Sequence, residues 1–390
     1  MPVSLPSLRH RDFLIYTVGR FGGNVGSSVQ MWAIAWQVYE VSGHSSLHVG
    51  LLGLARMVPL FMFSLIGGLV ADHMDRKKLM LMTRVAMVVF ALALWYVTIA
   101  HVDSLTVIYT IVALSSVARA FDGPARSSMM VNLVPEEDLP NALSVNGIAW
   151  RLSDVLGPVI AGFVIASSLG IAAAYVLSAV LDVILIVVLL SMGPINQVMP
   201  TTTVTNVREA FWQIGEGVTF IRHNAMVRNT MILDFWATFF SSADALFPAF
   251  AGPVLHIGAR GYGVLAASAG IGALLAAVWL ALRPTISRQG AVVIGMVGVY
   301  GMATVLFGTS RSLPLAMFFL ACTGAADMIS TVMRQTIRTL ATPDEMRGRM
   351  AGVSVLFQVG GPQLGDVEAG VLAKAFNDRA SVVIGGAASI

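Results

Sequence analysis

Charge is what this 390-residue chain has least of. Asp, Glu, Lys and Arg make up 12% of it, about half of the roughly 25% usual for soluble domains. That scarcity excludes a soluble enzyme, a disordered chain and a nucleic-acid binder. Cysteine is nearly absent as well. The single Cys322 rules out an internal disulfide and a multi-cysteine metal site. No glycine-rich phosphate loop, metal-ligand cluster or catalytic triad can be read. The expectation is therefore no enzyme, no metal and no bound cofactor. The seven histidines fall near the ends of apolar stretches or in polar breaks, where a surface role suffices.

What the chain has is apolar length. Hydrophobic residues make up 56%, and the mean hydropathy is +0.79. The apolar runs are continuous, unlike the alternating strands of an outer-membrane barrel. A helix needs about 20 apolar residues to cross a bilayer. The runs predict spans near 13–39, 47–71, 79–100, 105–131, 140–167, 171–192, 229–255, 261–282, 290–309, 312–338 and 346–375, with a last one beginning near 380. The expected fold class is all-α and polytopic, with twelve transmembrane helices. The short polar arm Ser4 to Asp12 leads into a stretch longer than a signal peptide. After Arg379 the remaining residues are too few for a crossing, so the last helix is expected to be cut short.

The charges set the orientation. One side gathers Arg9, Arg11, Arg76, Lys77, Lys78, Arg126, Arg334 and Arg338 among others, and the opposite side holds Arg260, Arg311, Lys374 and Arg379. By the positive-inside rule the N-terminus is cytoplasmic. The one long break divides the chain into an N-terminal six-helix half (1–192), a cytoplasmic linker (193–228) and a C-terminal half (229–390). Within the linker Val207, Phe211, Ile214, Val218 and Ile221 repeat with helical period, and Asn206 with Glu209 could cap that helix. An amphipathic helix along the membrane face is expected.

The halves resemble each other. At an offset of 208, Arg126 aligns with Arg334, Val134-Pro135-Glu136-Glu137 with Thr342-Pro343-Asp344-Glu345, and Gly157 with Gly365. The same offset sets Asp327 on Arg119. Duplicated helical halves are a recurrent transporter plan, with the substrate between them at mid-membrane.

Local motifs sharpen this. Gly68-Leu-Val-Ala-Asp72-His-Met-Asp75-Arg76-Lys77-Lys78 follows the second span. It resembles the loop 2–3 motif of the major facilitator superfamily, with Asp75 where the family has Gly. Gly68 would admit a neighbouring helix. Asp72 would accept from a facing helix N-terminus and, with Arg76, latch the two halves. Arg119-Ala-Phe-Asp122-Gly123 looks like the family's Arg-x-x-Gln-Gly motif, and the resemblance implicates Arg119 in proton coupling. Asp122, three residues on, could pair with it. Ser153-Asp-Val-Leu-Gly157-Pro158-Val-Ile-Ala161-Gly162 resembles the antiporter motif. In that fold it packs across the halves on span 8, whose Gly263, Ala266, Ala267, Gly270, Ala273 and Ala277 would complement it. Arg119 to Arg126 and Gly348-Arg-Met-Ala-Gly most resemble the enterobactin-exporter and drug–proton antiporter group.

Acids inside spans are expensive unless paired, hydrated or protonated. Asp327 is the leading coupling carboxylate, with Arg119 and Asp122. Asp234 and Asp244 are candidates for substrate contact. Asp154 would pair with Arg151, and Asp182 finds no evident role. In span 1, Gly19, Gly22, Gly23 and Gly26 mark close packing. Arg20 either binds an anionic substrate group or, the favoured reading, snorkels to the surface. Asn24, Trp32 and Trp36 would line an aromatic, amphipathic cavity.

The resemblance implies a major facilitator fold of two pseudo-symmetric halves, and a monomer in a bacterial inner membrane. It would export a hydrophobic or amphipathic small molecule, such as a drug or siderophore, by alternating access against inward proton flow. The only partners implied are substrate, protons and membrane lipid. A lipid or lysolipid translocator of the same fold, or a membrane sensor that has lost transport, are the alternatives.

Overall fold

The computed structural model describes residues 6–193, 207–283, 286–343 and 346–390. The side chain of Asp72 lies outside the described residues, as do Asn206, Asp344 and Glu345 and the side chains of Val207, Glu209, Phe211, Ile214, Gly348 and Arg349. No β-strand occurs among the described residues. The helices are α1 (Arg11–Val41), α2 (Ser46–His73), α3 (Arg76–Ile99), α4 (Leu105–Val131), α5 (Leu139–Ile165), α6 (Gly170–Ser191), α7 (Val207–His223) and α8 (Ala225–Ser241). A short α9 (Phe247–Ala249) follows, then α10 (Gly258–Ala281), α11 (Gln289–Thr309), α12 (Leu313–Ala341), α13 (Arg347–Ala375) and α14 (Asp378–Ala388). Among the described residues eight helices are long and apolar enough to cross a membrane by length and composition, against the twelve spans expected. The chain is a multi-pass membrane protein.

The chain packs as two compact units. The first comprises residues 1–34 and 58–207, the second 35–57 and 208–390. The end of the α1–α2 hairpin thus packs with the second unit although it is joined to the first half's helices.

In the first unit α3 packs on α4 and α6, and α5 on α6. Glycines let α1 lie against α6. A Cβ on Gly19 would press Val188, one on Gly23 Leu185, and one on Gly26 the Ser178 backbone. Tyr16, Met80, Met129, Leu185 and Leu189 form a buried core below this contact. Asp75 caps α3, accepting from the Lys78 N–H at 2.7 Å. The family's Gly is therefore replaced by a residue that satisfies an otherwise orphaned helix donor. Lys77 donates to the Met192 carbonyl beyond α6 at 2.5 Å, where a cation is favourable at a helix C-terminus. The N-terminal arm is tied down by Ser7 Oγ donating to Asn141 Oδ1 at 2.6 Å and by His10 with Asp138 at 2.8 Å.

Gly68 does not provide the expected helix approach. A Cβ there meets nothing within 4 Å among the described residues, whereas one on its neighbour Gly67 would overlap the Ala120 carbonyl of α4. The close α2–α4 contact is one residue earlier, and one residue turns the face by about 100°.

In the second unit α12 packs on α10 and α11, α14 on α11, and α13 on α8. Gly272 of α10 faces the Ala321 carbonyl and Gly324 of α12 faces that of Ala269, so neither position admits a side chain. These contacts use Ala269 and Gly272, not the α10 residues Gly263, Ala266, Ala267, Gly270, Ala273 and Ala277 singled out from sequence. The hairpin end is held as closely. Gly50 faces the backbone of Asp366, Gly53 that of Gln363, and Ser46 Oγ donates to Asp378 Oδ1 at 2.5 Å.

Span 229–255 is not one helix. α8 stops at Ser241. A 3-10 turn (Asp244–Leu246), α9 and a π-helical turn (Phe250–Val254) follow. Pro248 and Pro253 each remove a backbone donor, which favours such irregular turns. The freed polar groups are answered by Asp366 of α13, whose Oδ1 accepts from Ser242 Oγ at 2.8 Å and from the Ala245 N–H at 3.3 Å. Irregular backbone at membrane depth persists only where protein or water satisfies it in this way.

α7 forms as its periodicity predicts. Ile221 is buried with Val227, Met231, Met350 and Val353, while Val218 and Trp212 are exposed.

Candidate functional site

Each unit contains an open cavity lined by ionisable groups, and helical spacing explains which residues reach each one. In the first unit α1 contributes Asn24, Ser27, Ser28 and Met31, α3 Arg84 and Met87, α4 Arg119, Asp122, Gly123 and Arg126, and α5 Trp150, Ser153 and Asp154. Together they enclose about 260 Å³. Positions 119, 122 and 126 share one face of α4, and 150, 153 and 154 one face of α5.

Arg84 organises the charges around this cavity. Its Nη2 donates to Asp122 Oδ2 at 2.7 Å and its Nη1 to Asp182 Oδ1 at 3.1 Å. Thr83 Oγ1 donates to the other Asp122 oxygen at 3.4 Å. Arg84, Asp122 and Asp182 are all buried, so each would be costly without the others. The expected Arg119–Asp122 pair does not form, because Asp122 is committed to Arg84. The same guanidinium gives Asp182 the role that sequence left open. The missed residue is Arg84. A lone Arg in the apolar run of α3 was the available signal, and only the fold brings two carboxylates to it.

Arg119 is exposed to the cavity and has no ion-pair partner among the described residues. The Arg126 guanidinium lies 5.5 Å from the centre of the Trp150 ring, within cation–π range. Asp154 pairs with Arg151 at 4.0 Å, as expected. Arg20 does not snorkel. It is 2% exposed, and its Nε and Nη1 have no hydrogen-bond partner among the described residues. Asn24, one turn on, reaches the cavity. Trp32 is buried, and Trp36, grouped with the second unit, packs on Tyr262 at 5.0 Å. Gly157 of α5 faces Ser28 of α1, and a Cβ there would overlap the serine side chain. Pro158 and Gly162 are buried beside it. Arg76 is partly buried at the start of α3.

The second cavity, about 200 Å³, lies beside the break after α8. Thr238, Ser242, Asp244, Tyr300, Thr304, Thr323 and Asp327 supply its polar lining. Asp327, Thr331, Arg334 and Arg338 recur on one face of α12. Thr331 Oγ1 donates to Asp327 Oδ1 at 3.3 Å, and Arg334 Nη2 donates to Thr331 Oγ1 at 2.9 Å. Arg334 Nη2 also lies 2.8 Å from Asp234 Oδ1 and 3.5 Å from Asp327 Oδ1. Arg338 Nη2 donates to Asp234 Oδ2 at 3.2 Å.

Arg334 and Arg338, counted above among the loop charges, are therefore interior residues, 1% and 5% exposed. Their sequence positions at the end of a predicted span concealed this, because the helix runs on to Ala341. Asp234 is likewise buried and holds two guanidinium groups, while Asp327 keeps a side chain 42% exposed in the cavity. Asp244 is also exposed there.

Helices that interlock through glycine, interior Arg–Asp networks and water-accessible carboxylates define a membrane transporter. The sequence profile of the transmembrane secretion effector family matches residues 3–390. The chain therefore belongs to this family of major facilitator transporters and is not an enzyme. It is 25% identical over 378 residues to the enterobactin exporter EntS of Salmonella choleraesuis (strain SC-B67), covering 97% of this chain and 89% of the relative. It is also 25% identical over 386 residues to the multidrug efflux pump Tap of Mycolicibacterium fortuitum, covering 95% and 91%. Among solved structures, a POT family transporter in complex with a thioalcohol-conjugated peptide superposes with a TM-score of 0.73 at 12% identity, over 97% of this chain and 94% of that one. A bacterial homologue of the human lysosomal transporter Spinster, inward-facing and unoccupied, gives 0.69 at 14%, over 96% and 84%. These structural likenesses establish the major facilitator fold.

Proposed function

We propose that this chain is a proton-coupled exporter of a hydrophobic or amphipathic small molecule, such as a drug or siderophore, working by alternating access. It would act in the bacterial inner membrane with its N-terminus in the cytoplasm. The observation that carries this reading is the arrangement around Arg334. One buried guanidinium is shared between Asp234, which is buried and doubly paired, and Asp327, which is more distant and opens to the cavity. Asp234 stays 2.8 Å from the Arg334 guanidinium when Asp327 lets go. Asp327 can then take a proton from water while Arg334 keeps a carboxylate partner, and the net positive charge this leaves on the cluster favours release of that proton. Asp244, beside the helix break, is a second carboxylate within the same cavity. Discontinuous helices border the substrate and ion sites of many transporters.

Asp122 acts in this reading as the fixed counter-ion of Arg84, and Asp234 as that of Arg334. Proton loading falls to Asp327. Gly157, Pro158 and Gly162, together with the Gly68–Asp72–Arg76 segment, would govern how the structure changes access.

The test is a substrate screen in proteoliposomes with and without an imposed pH gradient. Gradient-driven flux in the wild type and its loss by at least tenfold in Asp327→Asn, with downhill exchange retained, is the expected result. Undiminished gradient-driven flux in that variant, or flux indifferent to the gradient, would overturn it.

A further inference from the structure

We propose that the cavity of the first unit is an anion subsite, in which Arg119 and Arg126 receive the carboxylate or similar acidic group of an amphipathic organic substrate. This rests on the transporter reading above and narrows its substrate class.

The argument is a charge balance. Three arginines and two aspartates line the cavity. Each aspartate already has its own arginine: Asp122 takes Arg84 at 2.7 Å, and Asp154 takes Arg151 at 4.0 Å. Arg84 is further engaged by Asp182 at 3.1 Å. That leaves Arg119 and Arg126 without a carboxylate among the described residues. Behind them lies Arg20, almost fully buried, with two guanidinium nitrogens unpartnered among the described residues and within the electrostatic reach of Tyr16, Arg126, Asp122 and Arg84. Among the described residues the cavity thus carries surplus positive charge, and its low-dielectric walls focus that field on whatever enters. Interior cations are retained at a cost in a membrane protein, and they mark ligand paths.

The geometry suits an acid rather than a bare ion. Arg119 and Arg126 stand two turns apart on one face of α4, about 10 Å along its axis. A guanidinium presents a planar fork that matches a carboxylate bidentately. Met31, Met87 and Trp150 supply apolar and aromatic wall for the body of the molecule. A neutral or cationic compound of the same shape would leave both arginines uncompensated. Arg119 here has a task other than the proton step suggested by its motif, because the carboxylate it would need for a proton-driven exchange of partners is held by Arg84.

The test uses purified protein at equilibrium with no gradient, so a failure of proton coupling cannot mimic its outcome. Binding of 2-naphthoate is compared with that of the isosteric 2-naphthamide by calorimetry, in phosphatidylcholine nanodiscs. The acid is expected to bind at least tenfold more tightly than the amide. Arg119→Gln and Arg126→Gln should each remove most of that preference without changing amide affinity, and Arg119→Lys should keep part of it. Arg119→Lys also serves as the folding control, with thermal melting to match the wild type. Equal affinity for acid and amide, or a preference that survives Arg119→Gln with Arg126→Gln, would overturn the proposal. Nanodiscs with added phosphatidylglycerol form the second arm. Unchanged 2-naphthoate binding supports a soluble organic acid. Its abolition would mean that a lipid headgroup occupies the site, against the proposal.

Discussion

The two units solve the same problem, ionisable groups inside a membrane, with opposite remainders. In the first, one arginine, Arg84, neutralises two buried aspartates, and the charge left over in the cavity is positive, on Arg119 and Arg126. In the second, one aspartate, Asp234, is held by two arginines, and the groups that face the cavity are carboxylates, Asp327 at 3.5 Å from Arg334 and Asp244. The buried networks hold helices together. The remainders face water and are available for chemistry. A sequence repeat therefore need not imply a repeated function: the alignment sets Asp327 on Arg119, and the sign inverts between them.

Breaking each network should separate the units most sharply. Arg84→Met leaves Asp122 and Asp182 buried without a cation, a loss of about 3–5 kcal/mol. Thermal melting in detergent should show it as a strongly destabilised or poorly folding protein, partly rescued by adding Asp122→Asn and Asp182→Asn. Arg334→Met should cost less, because Arg338 still holds Asp234 at 3.2 Å. Equal losses would argue that the two networks are not organised as described.

Packing comes next. Gly272→Val drives a side chain into the Ala321 carbonyl and should cost at least about 1–3 kcal/mol. In the first unit Gly67→Ala should destabilise, whereas Gly68→Ala should be neutral or stabilising by up to about 1 kcal/mol, the ordinary helix preference of Ala over Gly. Melting curves of this adjacent pair would show which glycine α4 rests on.

Asp366→Ala removes the acceptor for Ser242 and Ala245 at the broken helix, a feature with no described counterpart in the first unit. A loss of about 1–3 kcal/mol is expected, with amide hydrogen exchange becoming faster first around 242–246. The smallest effect should come from Lys77→Ala, which removes a cation from the end of α6 at about 0.3–1 kcal/mol.

Much of this architecture was readable from sequence. Continuous apolar runs gave the helices, and the 4, 3 spacing in the linker gave α7. The α1 glycines foretold a close helix contact, though not that α6 would make it, and Arg151 with Asp154 foretold a local pair. What sequence obscured were choices among partners distant in the chain. Asp122 had a plausible cation three residues away in Arg119, yet binds one 38 residues away on another helix. Arg334 and Arg338 looked like loop charges because basic residues crowd span ends, and only tertiary contact with Asp234 shows them as interior. The break after α8 was signalled by Pro248 and Pro253. The compensating Asp366 sits far along the chain, and no local rule connects the two.

The division of labour between the cavities is tested most directly by one comparison: the affinity for 2-naphthoate of the wild type, Arg119→Gln and Asp327→Asn, measured side by side at equilibrium. The account predicts a loss of at least tenfold in Arg119→Gln and wild-type affinity in Asp327→Asn. Wild-type affinity in Arg119→Gln together with a loss in Asp327→Asn would contradict it.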